Sequence, residues 1–347
     1  MKKIGLALAL LAAAAPALAQ PPVVKPACDR TCLEGYVDKY LDAMLAHKVS
    51  DDLFARDVKF TENGVRFPLG HEGLWFNMSA RGSYKFYIPD TEVQQVAFIG
   101  TVRYGAAPAI DAVPATATAP ARAAVPANPG TLAALALRLK IVEGKITEIE
   151  QLAIRPDNTA SVTGGANAAN AAPPRFLPTG EGVEKMGAPN PIFAEVIPEA
   201  KRPTREEMIK TANYYFSGLA HNDGKGYYPF TDDCVRFENG MITTAQKDGK
   251  PVLGACKKQF ETGLKGIVDR VRDRRFVAVD RERGIVFAFG FFDHARINWT
   301  WQLAELFKIE NGQIRRIEAV FHRAPYGMPS GWSTFEQSYS EEPQIVR

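Results

Sequence analysis

Apolar residues recur along this chain with two different periods, and the order in which the periods alternate occurs twice. Leu33, Val37, Tyr40, Leu41 and Met44 keep the spacing of one helical face and predict a helix over about 31–47. Met208, Ala212, Tyr215 and Leu219 do the same behind Thr204, a capping residue with Glu207 three positions on. After each helix come a short strand, an Asn-Gly turn and another short strand. A helical segment follows, around 73–80 and around 256–268, and three longer strands close each series. The last two strands are the clearest. Residues 135–143 turn at Gly144 into 145–155, and residues 299–310 turn at Asn311-Gly312 into 313–323.

The repetition extends to identities. Phe60-Thr61-Glu62-Asn63-Gly64 returns as Phe237-Glu238-Asn239-Gly240, an offset of 176. Lys140-Ile141-Val142-Glu143-Gly144-Lys145-Ile146 matches Lys308-Ile309-Glu310-Asn311-Gly312-Gln313-Ile314, and Ile149-Glu150 matches Ile317-Glu318, at an offset of 168. Between them Phe86, Asp90 and Gly100 align with Phe276, Asp280 and Gly290 at an offset of 190. Three blocks in one order indicate an internal duplication, with insertions where the offset changes. The fold class expected is α+β: two tandem cone-like domains, each a curved antiparallel sheet wrapped on its N-terminal helix. The expected bounds are 28–155 and 204–335, with a linker over 156–203 and a tail over 336–347. Two stretches rich in Ala and Pro, 105–130 inside the first domain and the linker itself, are expected to be mobile or loosely laid on the surface and to carry no chemistry.

The first nineteen residues change the picture of where the chain works. Lys2 and Lys3 precede an apolar run over 4–15, then Pro16 and Ala17-Leu18-Ala19, the pattern of a secretory signal peptide over 1–19. That run is too short to span a bilayer. The mature protein is expected to be periplasmic or secreted, with no membrane anchor after cleavage. Without Lys2 and Lys3 the formal charge falls from +3 to +1, so there is no footprint for nucleic acid. In an oxidising compartment the four cysteines read as disulfides. We pair them locally, Cys28 with Cys32 and Cys234 with Cys256, one of three connectivities. With no further thiolates and no nearby histidine pair, a metal site is not expected.

The order of helix, short strands, helix and long meander resembles the nuclear transport factor 2-like superfamily, which includes ketosteroid isomerase, scytalone dehydratase and the SnoaL-like cyclases. Nearly all of the mature chain also resembles exported bacterial proteins with two such domains. The segments that carry this resemblance are 60–64, Gly73-Leu74-Trp75, 272–276, 284–294, 305–314 and 326–332. No catalytic motif of the named enzymes maps onto this sequence residue by residue. The fold hosts enzymes, binding modules and assembly domains alike.

Candidate chemistry therefore comes from positions at which the two copies differ. Arg103-Tyr104 corresponds to Asp293-His294, and Ile154 to His322. Alternation along the strand puts Phe287, Phe289, Phe291 and Asp293 on one face and Phe292 and His294 on the other. Trp299, Trp301, Leu303 and Glu305 share a face of the next strand. The catalytic candidates are His322, Asp293 and His294, since histidine titrates near neutrality and burial can raise a carboxylate toward the same range. Trp299, Trp301, Phe289, Phe291, His71 and Tyr84 are the candidates for holding substrate. The Glu-Asn-Gly triplets read as hairpin turns. Neither a phosphate loop, a dinucleotide fingerprint nor a nucleophile elbow is present, so no cofactor is expected.

Two functions follow as expectations. One is a cofactor-independent lyase or isomerase acting on a small hydroxylated, aromatic compound by dehydration or retro-aldol loss of a fragment, which the resemblance implies. The other is a non-catalytic periplasmic ligand-binding or assembly protein. A small molecule is the expected partner in the first reading, and pairing of copies through their sheets is compatible with a homo-oligomer.

Overall fold

A computed structural model describes residues 28–156 and 179–347. The signal-peptide region and most of the expected linker lie outside the described residues. The first half contains α1 (Arg30–Leu45), β1 (Phe54–Glu62), β2 (Val65–Arg66), α2 (Leu74–Asn77), β3 (Met78–Asp90), β4 (Gln95–Tyr104), β5 (Thr131–Val142) and β6 (Lys145–Ile154). A connecting α3 (Thr179–Lys185) leads into the second half. There α4 (Arg205–Leu219) precedes β7 (Phe230–Glu238) and β8 (Met241–Ile242). A small hairpin, β9 (Gln246–Lys247) and β10 (Lys250–Pro251), and α5 (Ala255–Lys258) follow. The long strands are β11 (Arg270–Asp280), β12 (Ile285–His294), β13 (Trp299–Glu310) and β14 (Gln313–Pro325), before a tail with α6 (Phe335–Tyr339) and β15 (Gln344–Ile345).

The two sheets have matching strand orders, β2-β1-β6-β5-β4-β3 and β8-β7-β14-β13-β12-β11, with β15 added at the edge of the second. In both, the first strand pairs in parallel with the last strand of the meander, and all other neighbours among the matched strands are antiparallel. The helices start as their sequences dictate. The Asp29 side chain accepts from the Cys32 amide at 2.9 Å, and Thr204 and Glu207 form a reciprocal capping box. The Glu-Asn-Gly triplets are tight turns with positive φ at Asn63 and Gly64 and at Asn239 and Gly240. Each turn asparagine also clamps the last strand, Asn63 on the Ala153 backbone and Asn239 on that of Phe321.

One face of each sheet covers its helix. Leu33, Val37, Tyr40, Leu41 and Met44 enter a core with Val96, Phe98, Leu135, Leu137 and Ile149. Met208, Ala212, Tyr215 and Leu219 enter another with Val286, Leu303, Phe307 and Ile317. The opposite faces of the sheets meet each other. Tyr84, Phe86, Ile88, Ile99 and Leu152 of the first half form a third core with Val277, Phe287, Phe289, Leu306 and Val320 of the second. Both faces of each sheet are therefore largely buried.

Two ion pairs across this contact correspond in the two halves, their aspartates Asp90 and Asp280 at the block offset of 190 and their arginines Arg30 and Arg205 at 175. Arg30 opens α1 and donates to Asp280 at the end of β11, at 2.8 and 2.7 Å. Arg205 opens α4 and donates to Asp90 at the end of β3. Near the centre, buried Arg275 forks onto Glu150 with two bonds of 2.6 Å, a geometry that suits guanidinium and carboxylate.

The structure departs from the expected elements: four long strands, not three, close each half, and the helical segment expected around 256–268 ends at Gly263. The helical segment expected over 73–80 ends at Asn77, and β3 begins at Met78; Ser79, Gly82 and Ser83 are poor helix formers. Residues 105–130 form an exposed two-stranded extension, bridged at Ala107–Asn128, Ile110–Val125 and Val113–Arg122. Bridges every third residue skip the prolines, which have no amide to donate. Both expected disulfides are present, Cys28–Cys32 and Cys234–Cys256. Among the described residues no helix is long and apolar enough to cross a membrane. Two disulfides are compatible with an extracellular or periplasmic protein.

Candidate active site

On the helix-facing side of the second sheet a cavity of about 190 Å³ lies between α4, the segment after α5, and strands β12, β13, β14 and β7. Its walls are apolar, with Leu219, Leu264, Val268, Phe292, Trp301, Leu303 and Phe321. Its polar groups are few: Glu305, Glu238, Arg236, Tyr215 and His294.

Strand register explains why the carboxylates converge. Glu305 on β13 pairs with Ala319 on β14, and Ala319 pairs with Glu238 on β7. Paired residues point to one face, so the two glutamates flank an alanine in a single row. Neighbouring strands lie about 4.8 Å apart, which sets the two backbones roughly 10 Å apart with a methyl group between them. Arg236 lies two residues before Glu238 on the same face, with Nε 3.4 Å from Glu238 Oε1. It is held by Thr243 Oγ1 at 3.0 Å and Gln259 Oε1 at 3.2 Å. Gln259 belongs to a π-helical turn, Gln259–Gly263. The Cys234–Cys256 disulfide ties the start of that segment to β7.

Glu305 is 1 % exposed, and neither of its carboxyl oxygens has a hydrogen-bond partner among the described residues. Burial pushes its carboxyl well above the ordinary range, and the neighbouring Glu238 adds to the effect; Tyr215 and Arg236 oppose it. The direction favours the protonated carboxylic acid, the form that can donate a proton. Burial, and then the Glu305 charge, raise the Tyr215 phenol well above its usual value, so Tyr215 is a neutral hydroxyl.

His294 closes the far end of the cavity. Its Nδ1 is 2.8 Å from the Ile267 carbonyl oxygen. A carbonyl only accepts, so Nδ1 carries a hydrogen, and in the imidazole tautomer this selects, Nε2 is the acceptor. That Nε2 is buried with no partner among the described residues.

The matching row in the first half is chemically different. Leu137 pairs with Gln151, and Gln151 with Glu62. Gln151 Nε2 donates to Glu62 Oε2 at 2.7 Å, and Gln151 Oε1 accepts from the Tyr40 hydroxyl at 2.7 Å. Trp75 Nε1 donates to the same hydroxyl at 3.0 Å, and Arg155 donates to Glu62 Oε1 at 2.7 Å. Every polar group of that row is used internally. In the second half Ala319 replaces Gln151 and leaves room, while Glu305 replaces Leu137 and supplies a second carboxyl.

Of the residues singled out in the sequence, His294 and Trp301 line this cavity, and Trp299 stacks beside both, 6.1 Å from His294 and 5.0 Å from Trp301 between ring centres. The others stand elsewhere. His322 is on the opposite face of β14, donating to Gln302 Oε1 at 3.0 Å. Burial, and then the Arg155 charge from the first half, push its imidazole down to about 4. Asp293 is held by Arg270 at 2.6 Å and Arg272 at 2.9 Å; Arg272 also donates to the Ser338 and Met328 carbonyls. Asp293 thus anchors the tail. Phe289 belongs to the core between the sheets, and Phe291 packs on the Arg272 guanidinium at 4.5 Å. Tyr84 is buried between the halves, donating to Glu318 Oε2 at 2.9 Å. His71 lies exposed in a loop. The alternation of side chains is as expected; the face that encloses the cavity is the one carrying Phe292, His294, Trp301 and Glu305. Glu305, Glu238, Arg236 and Tyr215 are additions, and comparing Ala319 with Gln151 at the offset of 168 is the signal that finds them.

Residues 201–321 match a family described as a domain of unknown function (DUF8021), a span that includes Arg236, Glu238, Glu305 and Ala319. No curated protein of similar sequence matches the chain. Among solved structures, an NTF-2-like protein of unknown function from Burkholderia xenovorans LB400 is 15% identical, covering 37% of this chain and 94% of its own, with a TM-score of 0.26. A protein from Sphaerobacter thermophilus is 18% identical over 33% of this chain and 96% of its own, TM-score 0.26. An LEH-like epoxide hydrolase from M. tuberculosis is 13% identical over 35% of this chain and 86% of its own, TM-score 0.26.

Proposed function

We propose that the second half of this exported protein is a cone of the nuclear transport factor 2-like kind that performs cofactor-free acid–base chemistry on a small hydroxylated aromatic compound. The observation that carries this reading is the row Glu305–Ala319–Glu238 at the polar end of an apolar cavity. Glu305, whose proton burial holds, shares a row with Glu238, which Arg236 meets at 3.4 Å, an arrangement suited to acid–base chemistry.

For a dehydration, the Glu238 carboxylate takes a proton from carbon while Glu305 gives its proton to the departing hydroxyl. The C–O bond breaks, a C=C bond forms, and water leaves; proton exchange between the two carboxyls resets the site. For a retro-aldol step, Glu238 takes the proton of a β-hydroxyl, the C–C bond breaks to release an aldehyde, and Glu305 protonates the carbanion. Arg236 keeps Glu238 oriented and offsets its charge.

The first half favours a different role. Its equivalent row is closed by Gln151, which suits a scaffold that presents its sheet to the second half. A non-catalytic binding or assembly protein is the second reading, and turnover separates the two. An unbiased metabolite screen on the mature protein, with product analysis of each hit, should find conversion that falls about 10²–10⁴-fold in Glu305→Gln and in Glu238→Gln. Binding without conversion selects the second reading.

A further inference from the structure

Resting on the reading that the second half holds a small-molecule site, we infer that the end of its cavity remote from Glu305 is a separate recognition subsite, formed by His294 in the cavity wall and Trp299 beside it, that takes the hydroxyl of an uncharged phenol. The two residues are register partners at the ends of β12 and β13. His294 is 8 % exposed, its Nδ1 is engaged by the Ile267 carbonyl, and its Nε2 offers an unused lone pair. The indole Nε1–H of Trp299 is also buried without a partner among the described residues. An acceptor and a donor are therefore both unpaired on neighbouring rings, whose centres are 6.1 Å apart.

A hydroxyl is the group that satisfies both, donating to Nε2 and accepting from Nε1–H. Buried polar groups left unpaired discriminate strongly against an analogue that cannot fill them. A carboxylate or an ammonium fits worse. A carboxylate has no proton for Nε2, and an ammonium has no lone pair for the indole. The Arg323 guanidinium lies over the Trp299 ring at 4.0 Å, and the surface on the cavity side of the pair is flat and apolar. Trp301 lies with its ring centre 6.2 Å from His294 and 4.7 Å from Phe321, a setting for an aromatic ring. A cavity of about 190 Å³ is smaller than the usual range for drug-sized ligands, so the molecule is small.

Register also fixes the direction of the ligand. Two rows of side chains on the cavity face, Phe292 with Trp301 and Gly290 with Leu303, separate the His294–Trp299 row from Glu305. The phenolic hydroxyl and the group that meets the carboxyls are thus at opposite ends of the molecule. His294 and Trp299 decide which compound enters, and the carboxyls decide what happens to it.

The test uses two probes, p-cresol and 4-methylanisole, which differ in having or lacking the hydroxyl proton. Binding to the mature protein is measured by calorimetry at neutral pH. The wild type should prefer p-cresol by about tenfold, the value of one buried hydrogen bond. The preference should vanish in His294→Phe, shrink in Trp299→Phe, and persist in Glu305→Gln. Trp299→Phe keeps a ring in place, so it serves if loss of the Ile267 contact unfolds the histidine variant. Equal affinities in the wild type, or a preference that survives His294→Phe and Trp299→Phe, overturn the inference. So does a preference lost only in Glu305→Gln, which would put the hydroxyl at the other end. If neither probe binds in the millimolar range, this subsite and the small-molecule reading fall together. If the preference holds but Glu305→Gln and Glu238→Gln leave turnover unchanged, the acid–base reading alone fails.

Discussion

Glu305 and Glu238 flank Ala319 in one row across three neighbouring strands, and the matching row of the first half reads Leu137, Gln151 and Glu62. Two exchanges distinguish the rows. Alanine in place of glutamine withdraws the side chain that bonds both Glu62 and Tyr40, and glutamate in place of leucine puts a carboxyl into an apolar wall. A carboxyl buried in an apolar wall, with only Tyr215 and Arg236 acting to stabilise its charge, is costly for folding.

Glu305→Gln should make the protein more stable, increasingly so at higher pH. The folded value of Glu305 is raised, so the fold binds the proton more tightly than the unfolded chain does. Stability from this group is complete below the ordinary carboxyl range and is lost as pH rises through the folded value. Each unit of difference is worth about 1.4 kcal/mol. Thermal melts from pH 5 to about 9 should show the wild type falling relative to Glu305→Gln. Parallel curves would mean that Glu305 is not held neutral.

His322 should produce the opposite slope on the acid side. Its folded value is depressed to about 4, so the neutral ring is the one the fold accepts. Its contribution is complete above about 6.5 and is lost as pH falls through about 4. The ring is partly exposed, and screening leaves an effect of about 1–3 kcal/mol. His322→Gln should flatten the urea-unfolding free energy between pH 4 and about 7; an unchanged acid limb would show that another group controls it.

Arg275 and Glu150 tie the two halves together in a buried fork. Glu150→Gln leaves the guanidinium with Asp273, 3.1 Å away, and with half of its fork. Breaking a buried pair costs about 3–5 kcal/mol, and the remaining partner should hold the loss near the lower end. Urea unfolding measures it, and a loss below about 1 kcal/mol would mean that the pair behaves as a surface bridge.

How much of this could be read from the sequence depended on which physical signal carried it. The helices at Arg30 and Arg205, the Asn-Gly turns and the long meanders were legible because spacing, caps and turn residues are local. Alternation along β12 and β14 was legible too, but not which side encloses a ligand. An outward face normally betrays itself by polarity; here Phe289, Phe291, Tyr84 and His322 lie on faces buried against the other half or the tail, so both sides of the strands look like core. Glu305 could be placed beside Trp301 and Leu303 from the sequence. Its importance emerges only when Ala319 is set against Gln151 across strands that the register brings together.

The exposed extension over 105–130 should be dispensable for folding. Its residues are almost all exposed, and its bridges connect only its own two arms. Replacing it with a short Gly-Asn turn should leave the melting temperature within a few degrees, since little apolar area is lost. A collapse in soluble yield would show that it supports β4 and β5.

The most direct test refills the second cavity with the side chain that closes the first. Ala319→Gln should place an amide between Glu305 and Glu238, as Gln151 stands beside Glu62. Ligand-observed NMR with a library of small hydroxylated aromatics should find compounds that bind the wild type. Those compounds should bind Gln151→Ala equally well and lose most of their affinity for Ala319→Gln. Binding that Ala319→Gln retains in full, or that Gln151→Ala alone abolishes, would contradict the assignment of the working site to the second half.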